Sequence, residues 1–235
     1  MSAPLASESR LLGLATIALA VLFNVPYAVL ASIFDYPAIL RQPAGAVLAR
    51  FAAGGAGLIG TWYAFALAAL ALVPLSAGLA ITSARLSRRP AVTIGAALAG
   101  ALAGITQAIG LVRWVFVVPD LARAATGSDP VAAQIAIGGF TLINAYGGVA
   151  IGEHLGQLLT ALFAALLARL QLDEGHRATA GFGFATAVLL TIGTGEGLML
   201  AAGQDGSLFA AGTITGFLAL TAWLIATGTL LLRRT

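Results

Sequence analysis

The sequence predicts an all-α, polytopic membrane helix bundle of six transmembrane helices, with both termini cytoplasmic and two amphipathic extracytoplasmic lids. Three observations predict it. Hydrophobic side chains make up 60% of the 235 residues and charged ones only 9%, against about 25% charged in soluble domains. Apolar runs long enough to cross a bilayer recur along the whole chain. The arginines are confined mainly to alternate connections between those runs. No polar block is long enough to fold separately, so residues 1–235 read as a single integral membrane domain.

Six runs meet the length needed to span hydrocarbon: residues 11–33, 52–82, 91–119, 143–169, 179–202 and 208–232. The first begins after Arg10 with LLGLATIALAVLF, and VLA before Ser32 has the form of a signal-peptide cleavage site. The apolar run nevertheless continues past Ala31, so it is read as a retained anchor. The third, AVTIGAALAGALAGITQAIGLVRWVFVVP, is closed by Pro119 and Asp120. The fourth is approached through DPVAAQIAIGGF, an amphipathic piece suited to lying along the interface. After the first span comes FDYPAILRQPAGAVLARF and after the third DLARAATGSDPVAAQIAIGGF; both mix apolar and charged residues around prolines, as short lids do. Spans one–two and three–four resemble two copies of a helix–lid–helix unit, with the third copy's lid reduced to GQDGS.

Charge sets the expected orientation. With an even number of spans both ends share a side, which collects Arg10, Arg85, Arg88, Arg89, Arg169, Arg177, Arg233 and Arg234. The other side holds Arg41, Arg50 and Arg123, offset by Asp35, Asp120 and Asp129. Eight arginines against three is a positive-inside bias, which puts both termini in the cytoplasm. The pI of about 10.0 therefore reflects topology rather than nucleic-acid binding, and the lipid bilayer is the expected partner.

Composition also removes chemistry. The absence of cysteine excludes disulfides, thiolate metal sites and cysteine nucleophiles. Every basic side chain except the two histidines is arginine, so no lysine is present for a Schiff base. No HExxH, GxSxG, P-loop or dinucleotide fingerprint stands in a suitable context. No metal site, cofactor or catalytic residue is assigned.

What remains is a set of polar groups inside the apolar runs. At 1.5 Å per residue, Arg113 lies roughly 9 Å below the outer end of span three. Glu153 and His154 in span four, within GVAIGEHLGQLLT, and Glu196 in span five fall at a similar depth. Asn24 and Gln107 sit somewhat deeper. A charge near the middle of a bilayer costs about 2.5–3.5 kcal/mol on insertion scales, so such groups should face protein, water or a partner. Spans three and four are consecutive and antiparallel, making Arg113–Glu153 the expected ion pair, with His154 and Glu196 completing it. Glu153, Gln157 and Thr160 follow an i, i+4, i+7 polar stripe. Glycines four apart (Gly148, Gly152, Gly156; Gly193, Gly197; Gly100, Gly104) are seams for close helix approach.

Each feature has a plainer reading. Arg113 can snorkel to an interface, Glu153 and His154 point about 100° apart on an α-helix, and Asn24 and Gln107 can simply join helices by hydrogen bonds. The favoured reading is a small-molecule or lipid binding or transport module with an outer-leaflet polar pocket. The alternatives are a membrane enzyme using a Glu/His acid–base pair and a structural accessory subunit.

The phrases FDYPAILRQPAGAVLARF, QAIGLVRWVFVVPDLA and YGGVAIGEHLGQLLTALF, in that order, resemble bacterial multi-pass proteins of the domain of unknown function 4386 family. The resemblance runs over nearly the whole chain. It implies a small bacterial inner-membrane protein of six or seven spans and supplies neither a substrate nor functional residues.

Overall fold

The computed structural model describes residues 3–233, and these fold into helices joined by turns. Among the described residues six stretches are long and apolar enough to cross a membrane: Ser9–Phe34, Ala44–Ala80, Pro90–Ala125, Pro130–Asp173, Arg177–Ala201 and Ser207–Arg233. Arg234, one of the orientation signals, lies outside the described residues.

Three stretches are longer than their apolar runs, because helix propensity does not end where hydrophobicity does. Helix α1 covers Ala3–Phe34 and stops at Asp35, whose φ of 57° is left-handed, a conformation Asp tolerates better than most residues. A cis Tyr36–Pro37 bond and a 3₁₀ turn, Ala38–Arg41, then lead into α2, Ala44–Ala80. The alanine-rich PAGAVLARFAA continues as helix, so α2 begins well before the expected residue 52. The break comes instead at Gly55 (φ 63°, ψ −163°), which kinks α2 and requires a residue without Cβ.

The short helix α3 (Ser83–Arg88) precedes α4 (Pro90–Phe116), and α5 (Val118–Ala125) follows α4 almost directly. Helix α5 packs on α6, Pro130–Ile143, with Leu121 against Gly139. Asp129 caps α6 by accepting from the amides of Val131 and Ala132 at 2.9 and 3.3 Å, and Pro130 occupies the first turn, where its missing N–H is harmless. The fourth stretch therefore starts at Pro130 rather than 143. It continues as a π-helix over Asn144–Leu155 and then as α7, Gly156–Asp173. Helices α8 (Arg177–Gly193), α9 (Gly195–Ala201) and α10 (Ser207–Arg233) complete the chain, α8 and α9 being separated at Thr194.

The chain packs as two compact units. The first comprises the described residues up to Val21, Leu70–Ile105 and those from His154 onward; the second comprises Leu22–Ala69 and Thr106–Glu153.

The first unit is held by small-residue contacts and a few buried polar groups, the devices expected where lipid removes any hydrophobic force between helices. A Cβ at Gly13 would stand 2.8 Å from the Gly228 carbonyl oxygen, and one at Gly100 would collide with Ser76 Cβ. Ser76 Oγ donates to the Ala97 carbonyl at 3.2 Å, and the buried Trp223 indole donates to the Thr179 carbonyl at 3.1 Å. Near the loop ends Arg85 grips Glu174 with two bonds of 2.6 and 2.9 Å, the bidentate geometry in which arginine excels. A cavity of about 20 Å³ beside Arg85, Gln171 and Thr227 has room for about one water.

The second unit is aromatic. Trp62 and Trp114 stack with centroids 4.7 Å apart and planes 8° from parallel. Phe34 meets both edge-on, and Phe51 and Phe140 close on Trp114. All five rings are buried. Offset and edge-on pairs of this kind contribute about 0.5–1.5 kcal/mol each beyond contact area.

Candidate functional site

The polar groups of the second unit surround Arg113 at the end of α4. Its side chain does not snorkel: the residue is only 6% exposed. The guanidinium turns back on its own helix, where Nη1 donates to the Gly110 carbonyl, while Nη2 donates to Asn144 Oδ1 at 3.0 Å. Its flat face lies against Gly148, where a Cβ would come within 2.7 Å of Cζ. Cζ also stands 5.0 Å from the Trp114 ring centroid, within cation–π range. The Nε hydrogen finds no acceptor.

The expected Arg113–Glu153 ion pair is not what forms. Glu153 accepts instead from Arg41 Nη2 at 2.8 Å, in a bridge whose side chains are 32% and 27% exposed. Among the described residues no carboxylate lies within ion-pair distance of Arg113. The reason is geometric: Arg41 arrives from the turn before α2, while Arg113 is folded onto Gly110 and Asn144.

Tyr36 belongs to the same cluster. Its ring meets Trp62 edge-on at 5.3 Å. Burial pushes its hydroxyl above the ordinary tyrosine range; the negative charge of Glu153 raises it further, and Arg113 and Arg41 oppose that effect. The phenol thus stays a neutral donor within electrostatic reach of all three charges.

The π-helix is the local device behind this arrangement. Such segments bond i→i+5, are rarely longer than one turn and recur at functional sites; here the segment runs for 12 residues, NAYGGVAIGEHL. Gly148 receives the arginine, and Gly152 meets Gly110 so closely that a Cβ on Gly110 would stand 2.7 Å from Gly152 Cα. The expected Glu153–Gln157–Thr160 stripe also changes. Its spacing presupposes 3.6 residues per turn, whereas the chain through Leu155 is π-helical and only Gln157 and Thr160 are α-helical.

In the first unit, His154 Nδ1 lies 3.1 Å from the Thr194 carbonyl, at the break between α8 and α9. A carbonyl only accepts, so Nδ1 carries the hydrogen. Gly197 leaves room for the imidazole. Buried Gln157 accepts from Thr213 Oγ1 at 3.3 Å, and Gly193 lies against both. Glu196 is half-buried beside Gly206. Arg113, Glu153, Gln107 and Asn24 thus belong to the second unit, and His154, Glu196 and Gln157 to the first. Gln107 is buried and Asn24 half-buried, and both are engaged in contacts. Among the described residues no group of three or more His, Cys, Asp or Glu side chains is placed to hold a metal ion.

Sequence reasoning passed over Arg41, Tyr36, Asn144 and Trp62. The first two stand in the quoted FDYPAILRQP, where Arg41 was counted only as a topology charge. Asn144 opens the glycine-rich NAYGGVAIG, and Trp62 has no polar neighbour in sequence to mark it.

No curated protein matches the chain, and no solved structure does. A family model described as a domain of unknown function, DUF4386, matches residues 11–228. With most of its length covered, the chain belongs to the domain of unknown function 4386 family.

Proposed function

We propose that the protein is a membrane-embedded binding or transport module for a small or lipidic ligand. Its polar site is the Arg113–Asn144–Glu153–Arg41–Tyr36 cluster of the second unit. The observation that carries this reading is Arg113, a buried cation whose nearest bonds go to a carbonyl and an amide rather than to a carboxylate. Intramembrane charge of this kind is expensive to retain for packing alone. His154, Glu196 and Gln157 are proposed as a second polar set that responds to the ligand cycle.

The reading predicts that a non-protein molecule co-purifies with the wild-type protein and is detected by native mass spectrometry. Arg113→Ala and Glu153→Ala should lose it while remaining inserted. Nothing retained by the wild type, with the variants equally inert, would sink the binding reading. Loss of folded protein in both variants, restored when both sites become apolar together, would favour a structural accessory role. An acid–base enzyme would instead show Glu153→Gln retaining its ligand without turnover.

We further propose that both termini face the cytoplasm of a bacterial inner membrane, with the segments FDYPAILRQPAGAVLARF and DLARAATGSDPVAAQIAIGGF contributing lids on the opposite side. The cysteine-free chain makes this directly testable. Exposed Ser128 and Ser87, changed singly to cysteine, should react with an impermeant maleimide from outside the cell and only after lysis, respectively. The reverse pattern would invert the topology.

A further inference from the structure

Unpaired hydrogen-bond donors in the Arg113 cluster bear on the class of ligand. Arg113 Nε and Trp62 Nε1 are both buried N–H groups without an acceptor. They belong to one contiguous cluster: Trp62 stacks on Trp114 at 4.7 Å, and the Arg113 guanidinium lies 5.0 Å from the Trp114 ring. Tyr36 adds a neutral phenol packed edge-on against Trp62. Buried donors left unpaired are rare in folded proteins because they give up their hydration without replacement, so two in one cluster call for an explanation. The single carboxylate among these groups, Glu153, is occupied by Arg41.

The guanidinium and the indole N–H offer only hydrogens, and the Tyr36 phenol can add a third donor. A cationic ligand would set a like charge beside Arg113, and a neutral acceptor would pair the hydrogens without offsetting the arginine's charge. An oxyanion has the opposite character: several strong acceptor lone pairs and a negative charge, matched to the planar arginine fork. The surrounding Phe34, Phe51, Trp62, Trp114 and Phe140 provide an apolar wall for whatever body the oxyanion carries.

We propose that the Arg113 cluster binds an oxyanion group, a carboxylate or phosphate, carried either by an anionic lipid or by a soluble molecule. The proposal rests on the binding-module reading and adds the charge class of its ligand. Glu153 is then the site's internal competing anion, since its charge opposes an arriving oxyanion while neutralising Arg41.

Purified full-length protein in a neutral detergent would be titrated separately with phosphatidylglycerol, with diacylglycerol of the same chains, with octanoate, with inorganic phosphate and with octylammonium. Tryptophan fluorescence and unfolding temperature are the readouts. Saturable binding of phosphatidylglycerol but not diacylglycerol supports the proposal with a lipid source; binding of octanoate or phosphate supports it with a soluble one. Arg113→Gln should weaken the productive probe at least 10-fold, Trp62→Phe about threefold, and Glu153→Gln should tighten it. Trp62→Phe keeps an aromatic ring beside Trp114 while removing the indole donor, so it remains informative if Arg113→Gln does not fold. Equal response to diacylglycerol, preference for octylammonium, or weakened oxyanion binding in Glu153→Gln would overturn the proposal. A co-purifying neutral or cationic molecule lost from the Arg113 variant would overturn the oxyanion class while leaving the binding module standing. No probe bound and nothing co-purifying would remove both.

Discussion

Replacing Gly110 by valine is expected to destabilise the protein by about 3 kcal/mol or more, at or beyond the upper end of ordinary overpacking losses. A Cβ there would stand 2.7 Å from Gly152 Cα and 3.3 Å from the Gly147 carbonyl oxygen. Both obstacles are backbone, so no side-chain rotation can relieve the clash. Helix α4 and the π-helix would have to move apart, and the Arg113–Asn144 bond spans the same two elements. Membrane helices associate through close packing and hydrogen bonds, so a forced separation removes both contributions together. The measurement is unfolding in mixed micelles with increasing SDS, compared with Gly138→Ala. Gly138 lies in α6 with nothing within 4 Å of a Cβ, and its substitution should change stability by no more than about 1 kcal/mol, in the stabilising direction given alanine's better helix propensity. Equal behaviour of the two variants would mean that the glycine–glycine approach is not a structural contact.

Trp114→Ala is expected to remove about 3 kcal/mol, the lower end of aromatic-to-alanine losses in soluble cores. The lower end applies because lipid supplies no transfer term, and what disappears is dispersion contact with packed neighbours. Trp114 is 1% exposed and touches Trp62, Phe34, Phe51 and Phe140, so its removal opens a void that none of these rings can fill without leaving the others. Trp114→Phe should recover a substantial part of the loss. Leu142→Ala offers the contrast: that side chain is 72% exposed, lipid replaces its contacts, and the change should stay within about 0.5 kcal/mol. A Trp114→Ala protein as stable as wild type would show that the aromatic cluster is loosely packed.

How far the sequence could see differs between elements. The six apolar stretches were found because hydropathy summed over about 20 residues is a local property. The second stretch starts earlier than expected because the alanine-rich flank from Ala44 is a good helix former, and the fourth because PVAAQIAIGGF, itself mostly apolar, continues the helix. The four-residue spacing of Gly148 and Gly152 marks a seam and nothing marks Gly110; that Gly148 seats an arginine while Gly110 and Gly152 seat each other follows from which helix faces meet.

The candidate site divides in the same way. Arg113, Glu153 and His154 are visible as polar residues within apolar sequence, since desolvation makes any such group conspicuous. Partner choice was not visible. Arg41 and Glu153 are separated by 112 positions, and nothing in either local sequence favours that bridge over one from Arg113. The π-helix was hidden as well: its twelve residues contain no signal that α-helical spacing fails, because widening a helix depends on what presses against it rather than on its own propensities.

The sequence by itself determined that six stretches are long and apolar enough to cross a membrane as helices, and which scarce polar residues must be accommodated within them; transfer free energy and helix propensity are additive along a chain. Only the tertiary structure decided that Glu153 takes Arg41, that Arg113 stays buried between Gly110, Asn144 and Gly148, and that Trp62 and Trp114 stack above Phe34 and Phe51. Those outcomes are settled by contacts between segments far apart in sequence, where a fraction of an ångström between two glycines fixes which side chains can meet.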